Sequence, residues 1–380
     1  MIGRLLGHTQ IGTTQRYAHL IDTIQWPARR LAIHGVHFHV GVPGGAESVA
    51  VVQSLAFHLP LFLAASASSP FWLGTDTGMA SSRTKVFEGL PTAGLPPRLA
   101  DWHEFESLMD GLLTAGVITS IREIWWDIRP HPVYPTLEFR ISDICTNVDD
   151  CICIAAMFQA ICAKLLKLRR NNLSWRQYRH VHISENKWRA VRYGIDGELI
   201  DFGIQESVPF PHLLGELLEF VDDVVDELDC RQEVAHVHTI LRDGTSADKQ
   251  LRVYREHGGD ANQEEALRAV VGRHGQNPRL QEFRLSRARG ATDKRVGTIG
   301  PQIELLKVPG GVPHGRPQGR RLCIGFGRPQ TTQERVGLGP PLQDSLRLFS
   351  HGPITRHGQE GDGAREVPGG LVASAKVDDR

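Results

Sequence analysis

The sequence predicts an α+β fold: an antiparallel sheet with helices packed on one side. Three short segments alternate apolar and polar residues with the period of two that marks a half-buried strand. Longer apolar stretches with a helical period lie between and after them. An apolar content of 41% in 380 residues is adequate for a globular core, and the length suits one large or two ordinary domains.

The first strand is HGVHFHVGV, residues 34–42. Val36, Phe38, Val40 and Val42 point one way, and Gly35, His37, His39 and Gly41 the other. AESVAVVQSLAFHLPLFLAASA (46–67) has an apolar helical face, broken for a membrane span by Gln53, His58 and Pro60, so a buried helix is expected. His58 reads as a helix-surface residue or a core histidine with its hydrogen bonds made. DWHEFESLMDGLLTAGVI (101–118) opens on an Asp suited to cap a helix and sets Leu108, Leu112 and Leu113 on one face. In WWDIRP (125–130), Trp126 and Ile128 alternate with Asp127 and Arg129. In PTLEFRISD (135–143), Leu137, Phe139 and Ile141 alternate with Glu138, Arg140 and Ser142. NVDDCICIAAMFQAICAKLLKL (147–168) carries Asp149 and Asp150 in its first turn and Lys164 and Lys167 near its end, as the helix dipole favours. FPHLLGELLEFVDDVVDELDC (210–230) is amphipathic, with an acidic face read as solvated.

Composition divides the chain in three. Residues 29–272 form the coherent globular part and hold all Trp and Tyr except Tyr17 and Trp26. Residues 273–380 are rich in Gly, Arg and Pro, with no Trp or Tyr. They are expected to be a disordered tail, since they bury too little apolar surface to offset chain entropy. No RGG repeat or interleaved aromatic supports RNA binding there. Residues 1–28 stand apart. Within them L-G-H (6–8) and T-T-Q-R-Y-A-H (13–19) resemble the end of a tyrosine recombinase catalytic domain. That resemblance implies phosphate activation by His8 and a nucleophile at Tyr17. Without the family's upstream cations the segment is expected to be an inert remnant.

Lys+Arg and Asp+Glu balance at 43 each, so no global field steers the chain toward nucleic acid or anionic lipid. Six cysteines without a C-x-x-C pair do not make a disulfide scaffold and read as reduced, buried thiols of a cytoplasmic protein.

Chemistry concentrates on the polar strand faces. His37 and His39 can reach a single site. A carboxylate beside a guanidinium, Glu138 and Arg140, suits a metal–phosphate site, with Glu138 holding Mg²⁺ and Arg140 forking phosphate oxygens. Arg129, and Arg83 from a loop, add positive charge, so the expected ligand is polyanionic, such as ATP–Mg²⁺ with a dicarboxylate. Zinc is the rival, without a third soft ligand at a convincing spacing. The glycines flanking the histidines are expected to let a bulky ligand approach the backbone.

HGVHFHVGVP, ASASSPFWLGTDTGMASSR, FEGLPTAG, WHEFESLMDGLLTAGVI, WWDIRPHPVYPTLEFRISDICTNVDD and KWRAVRYGIDGELID occur in that order over about 240 residues. Together they resemble the carboxylate–amine ligase branch of the glutamate–cysteine ligase type 2 family, whose catalytic fold is shared with glutamine synthetase. The resemblance implies a glutamine-synthetase-like sheet with ATP and Mg²⁺ as cofactors. Glutamate would be activated as an acyl phosphate, then captured by cysteine or another amine. It places His37 and Glu138 on the metal, His39 on the nucleotide and Arg140 on phosphate. Arg83 and Arg129 fall on the glutamate carboxylate or the phosphoryl group in transfer, and Arg192 near the site or in a structural role. HTILRDGTSADKQLRVYREHGG (238–259) resembles the family's closing helix.

The family's Gly-x-Glu-Glu-Glu opening strand, which supplies further metal ligands, has no counterpart before His37. The expectation is an incomplete sheet with one exposed edge and little or no ligase activity. The alternatives are a non-catalytic product of a rearranged gene and, behind it, a recombinase remnant. A homo-oligomer is compatible with the sequence, and neither nucleic acid nor membrane is expected as a partner.

Overall fold

The computed structural model describes residues 21–31, 33–275 and the backbone of 325–326. The chain divides into two units, residues 1–330 and 331–380, and every described residue lies in the first. His8, Tyr17 and nearly all of the expected tail fall outside the described residues.

A four-stranded antiparallel sheet organises the molecule, in the order β4-β5-β1-β8. The strands are β1 (Val36–Gly41), β4 (Ile128–Pro130), β5 (Thr136–Phe139) and β8 (Gly325–Phe326). Phe38 pairs with Phe139 and His39 with Glu138 on one side of β5; Ile128 pairs with Phe139 and Arg129 with Glu138 on the other. On its far side β1 pairs with β8, Val36 to Phe326 and His37 to Gly325. The edge expected to be exposed is therefore partly covered, by two residues from the stretch expected to hold no strand.

Alternation sets the two faces of this sheet. Val36, Phe38, Val40, Ile128, Leu137 and Phe139 are all buried on one face. Against it lie α6 (Val148–Arg170) and two shorter helices, α2 (Gly45–Leu55) and α3 (Leu59–Ala65). Phe158 of α6 is the centre of this core. Its ring stacks on Phe62 with centroids 3.8 Å apart, lies 4.0 Å from Phe139 and 5.6 Å from Phe38. Asn147 caps α6 by accepting from the Asp149 amide at 3.2 Å. Both α2–α3 and α6 are long and apolar enough to cross a membrane, but 78% of each stretch is buried inside the protein, as core helices require.

The remaining helices close the domain. α1 (Trp26–Arg29) and the short α4 (Ser82–Phe87) flank the sheet region. In α5 (Trp102–Thr114) Asp101 caps the helix, accepting from the Glu104 amide at 2.9 Å. Its buried face is Phe105 and Met109 with Leu108 and Leu112 beside them, while Leu113 is exposed: the expected stripe is turned by one position. α7 (His180–Tyr193) leads into the hairpin β6 (Glu198–Asp201) and β7 (Glu206–Pro209), then α8 (Phe210–Val225). The acidic face of α8 is exposed, as expected of a solvated face, and carries surface ion pairs: Asp223 accepts from Lys164 at 2.6 Å, and Lys167 reaches both Asp223 and Glu227, just beyond the helix.

Two short helices, α9 (Arg231–Ala235) and α10 (Val237–Asp243), precede α11 (Ser246–Glu256), where Thr245 and Asp248 form a capping box. The start of α11 is tied to the core, since Ser246 Oγ accepts from the Thr146 amide at 2.9 Å and Ala247 donates to the Ala67 carbonyl. A two-residue hairpin, β2 (Phe71–Trp72) and β3 (Thr75–Asp76), rests on α11 through Phe71 and Tyr254, 4.9 Å apart, and α12 (Gln263–Gly275) ends the run. Its turn is Leu73-Gly74, both with positive φ, as the twist of so short a hairpin demands.

Candidate active site

The other face of the sheet carries the polar residues. The pleat puts His37 and His39 of β1, Glu138 and Arg140 of β5, and Asp127 and Arg129 of β4 on that one face. Glu138 is its hub. Its Oε1 accepts from Arg140 Nη1 at 2.6 Å and lies 3.2 Å from His37 Nδ1; its Oε2 accepts from Arg129 Nε at 2.9 Å. Glu138 is only 4% exposed. Burial would raise its pKa, but the histidine and two guanidiniums hold it far below the carboxylate range.

Arg129 is fixed as firmly. Its Nη1 donates to the carbonyls of Ile121 and Ile124, at 2.9 and 2.5 Å, tying the loop before β4 to the site. Arg140 is less committed. Its Nε is buried and has no partner, and its guanidinium lies 5.8 Å from the Phe87 ring. Desolvation pulls its pKa down to about 10, against the attraction of Glu138.

The imidazoles are neutral at pH 7. Burial lowers His37 to about 4, with Arg140 acting in the same direction. Burial also lowers His39, whose Nδ1 is 3.2 Å from Thr136 Oγ1. His131 stands edge-on to His39 at 5.2 Å and stacks on Tyr134. Its Nδ1 accepts from the amides of Val133 and Tyr134, at 3.2 and 3.0 Å, so that nitrogen carries no proton. Burial takes His131 to about 4. With Nδ1 of His37 donating to Glu138, its Nε2 presents a lone pair to the face.

Arg83 arrives differently. It is 5% exposed and spends its Nη groups on the carbonyls of Ile141 (3.0 Å) and Arg140 (2.9 Å), with Asp143 3.5 Å away. Its guanidinium fills the space over Gly35, where an added Cβ would stand 2.3 Å from Nη2. Gly35, expected to admit a ligand, thus admits Arg83. Asp143 in turn accepts from the Ser68 amide and the hydroxyls of Ser69 and Ser81, at 2.9, 2.7 and 2.9 Å. Arg192 donates to the Gly78 carbonyl on the exposed side of α7.

Five of the residues singled out from sequence, His37, His39, Arg129, Glu138 and Arg140, thus form one connected face, with Arg83 bracing the strand end. Sequence reasoning missed Lys187, buried and bridging Asp127 and Glu88 at 2.5 and 2.7 Å. A signal existed: Lys187 shares the apolar stripe of α7 with Ile183, Ala190 and Val191. For His131, after Arg129-Pro130, no periodic signal exists. The cations expected to await a polyanion are in large part already neutralised, Arg129 and Arg140 by Glu138 and Arg83 by Asp143.

Donor chemistry tests the fit to a divalent cation. His37 and Glu138 adjoin, but no cluster of three His, Cys, Asp or Glu ligands occurs among the described residues. Glu138 is already held by two guanidiniums. The described residues do not by themselves fit a Mg²⁺ site, which favours several free oxygens. Arg140, whose side chain is 11% exposed, offers positive charge to an anion on this face instead.

Known proteins agree with the reading of the motifs. Curated relatives carry the name "Putative glutamate–cysteine ligase 2". The protein from Solibacter usitatus is 45% identical over 249 residues, 66% of this chain and 65% of that one. That from Sorangium cellulosum is 46% identical over 240 residues, 63% and 64%. That from Rhodospirillum rubrum is 45% identical over 258 residues, 68% and 66%. The chain therefore spans about two thirds, or slightly less, of the length of these relatives. The sequence model of glutamate–cysteine ligase family 2 (GCS2) matches residues 6–272, starting inside the segment expected to stand apart from the ligase part and taking in the whole polar sheet face. The chain belongs to glutamate–cysteine ligase family 2.

Proposed function

We propose that this chain is an ATP-dependent carboxylate–amine ligase of the glutamate–cysteine type, working on the polar face of a glutamine-synthetase-like sheet. One observation carries the reading: in a member of this family, His37, Arg129 and Arg140 all contact Glu138, and His39 stands opposite Glu138 on the same sheet face.

The reaction has two steps. The side-chain carboxylate of glutamate attacks the terminal phosphorus of ATP, the bond to ADP breaks, and an acyl phosphate forms. The amine nitrogen of cysteine, or of another amine, then attacks the acyl carbon; phosphate leaves and the nitrogen loses a proton. Arg140 turns the open side of its guanidinium toward an oxygen of the phosphoryl group and offsets its charge. Glu138 holds Arg140 and Arg129 in place, and buried guanidiniums fixed this way need no reorganisation as charge develops. His39 faces the nucleotide. His37, neutral and oriented by Glu138, offers Nε2 as an acceptor. Magnesium enters as the companion of ATP, and no step here depends on a metal held by the described residues alone.

The saturation of Glu138 supports a second reading, a ligase fold that binds nucleotide without turnover. Phosphate release measured with MgATP, glutamate and cysteine, beside the nucleotide-dependent melting temperature, separates the two. Release that requires both amino acids supports the ligase. Stabilisation by nucleotide without release supports the second reading. If MgATP neither raises the melting temperature nor is hydrolysed, both fall.

A further inference from the structure

The turn between β4 and β5, residues 131–135 (HPVYP), stands at one end of the sheet's polar face. It is firmly built. The His131 amide donates to the Thr136 carbonyl at 2.8 Å, and the Thr136 amide donates to the Tyr134 carbonyl at 2.7 Å. His131 Nδ1 accepts from the amides of Val133 and Tyr134, and Pro132 and Pro135 fix their own φ. The end of β1 is tied in as well, since the Val42 amide donates to the Pro135 carbonyl at 3.0 Å.

Three rings lead from the sheet face out along this turn. The His39 ring lies 5.2 Å from that of His131, and His131 lies 4.9 Å from Tyr134. One face of Tyr134 rests on His131, and 42% of the residue stays open to solvent. With its Nδ1 occupied as an acceptor, His131 carries its proton on Nε2. That N–H makes no hydrogen bond among the described residues and is not sealed from solvent. No residue from 131 to 136 is charged at pH 7, His131 being neutral. Charge collects toward the other end of the face, where His37 and Arg140 flank Glu138. From Thr136 to Arg140 the extended chain runs about 13 Å, comparable with a nucleoside triphosphate from its base to its terminal phosphoryl group.

We propose that this turn holds the nucleoside end of the nucleotide: the base lies against the open surface of Tyr134, and His131 Nε2–H donates to an oxygen of the ribose or first phosphate. Resting on the reading of this face as a nucleotide site, the assignment adds which residues take the nucleoside. A phosphoryl group held at Arg140 leaves the rest of the molecule to run along the strands, and the β4–β5 end offers an exposed aromatic surface with an uncharged donor beside it. A turn held by its own hydrogen bonds and two prolines loses little freedom when a base stacks on it. Stacking on an aromatic ring tolerates any base, so this contact favours a nucleotide over bare phosphates before it favours one base over another.

Calorimetry with the full chain, comparing MgATP with magnesium tripolyphosphate, which lacks the nucleoside, tests the proposal. MgATP is expected to bind about tenfold more tightly, as stacking of one base implies. Tyr134→Ala should erase that difference by weakening MgATP and leaving tripolyphosphate unchanged, and Tyr134→Phe should keep it. His131→Asn, whose side-chain oxygen can still accept from the turn amides, should weaken MgATP about threefold through loss of the Nε2 donor. Circular dichroism melts show whether each variant is folded. Photolabelling of the unaltered chain with 8-azido-ATP, expected on residues 131–136, reads the same contact without a substitution. The proposal is overturned if tripolyphosphate binds the unaltered chain as tightly as MgATP, if folded Tyr134→Ala binds MgATP as the parent does, or if the label falls elsewhere. Those results leave the nucleotide reading of the face standing wherever Arg140→Met weakens MgATP; if the unaltered chain binds neither probe, both fall.

Discussion

The two faces of the central sheet are made by the same strands, residue by residue, yet they are held by different physics. On one face Val36, Phe38, Val40, Leu137 and Phe139 meet Phe158 and its helix, and the interaction is burial of area, tolerant of which apolar residue supplies it. On the other, Glu138 holds His37, Arg129 and Arg140 at once, and removing Glu138 leaves two buried guanidiniums without their counter-charge. The comparison teaches that a buried ionic web is poor evidence of stability for its own sake. A well-packed apolar face would serve folding as well, so stability alone does not account for the web.

The largest effect expected is on the apolar face. Phe158→Ala removes the ring that joins Phe38, Phe62 and Phe139 and should cost about 3–5 kcal/mol in urea unfolding. A loss below about 1 kcal/mol would mean that the three rings close over the gap and that the core is not centred there. On the polar face, Glu138→Gln leaves Arg129 and Arg140 without a counter-charge and should cost about 3 kcal/mol or more, though it removes hardly any volume. Arg140→Met is expected to divide the faces most sharply. Activity, where measured, should drop by about a hundredfold or more, while stability changes far less, since Arg140 carries one unpartnered nitrogen already.

Protons offer a subtler probe. Burial holds His58 near 3 and His131 near 4 in the folded protein, against an ordinary value of 6.5. Both folded-state values are depressed, so the unfolded chain takes up protons between pH 6.5 and 4 that the folded chain refuses. Stability should therefore be full above pH 6.5 and fall as the pH drops toward 4. His58→Phe should flatten that slope by close to one proton; unfolding curves at pH 5 and 7 that shift equally in the two proteins would contradict the assignment. The smallest effect is local. Asp101→Ala, removing the cap of α5, should cost about 1 kcal/mol and leave both faces of the sheet untouched.

Much of this was legible in sequence because strand alternation is a local property. A period of two fixes that His37 and His39 share a face with each other and oppose Val36 and Phe38, and the register of β1 against β5 then brings His39 beside Glu138. The cap at Asp101 and the interior fate of the apolar stretch at 46–67 follow from equally local chemistry. The order of the motifs fixed the family. The turning of the α5 stripe away from Leu113 was less legible, because several leucines satisfy a helical period and only the neighbour selects among them.

What tertiary structure alone decided is the state of each charge and each space. Sequence assigned Arg83 to a ligand; the fold gives it the carbonyls of Arg140 and Ile141 and the gap over Gly35. Sequence read His58 as a surface residue or a satisfied core histidine; the fold buries it and leaves both its nitrogens without a partner. It counted Arg83, Arg129 and Arg140 as cations for a polyanion, and the fold pairs them with Asp143 and Glu138. The reason is one of range. Which face a side chain takes is set by its neighbours in sequence, whereas which partner satisfies it is set by residues tens of positions away, and no period in the chain records that distance.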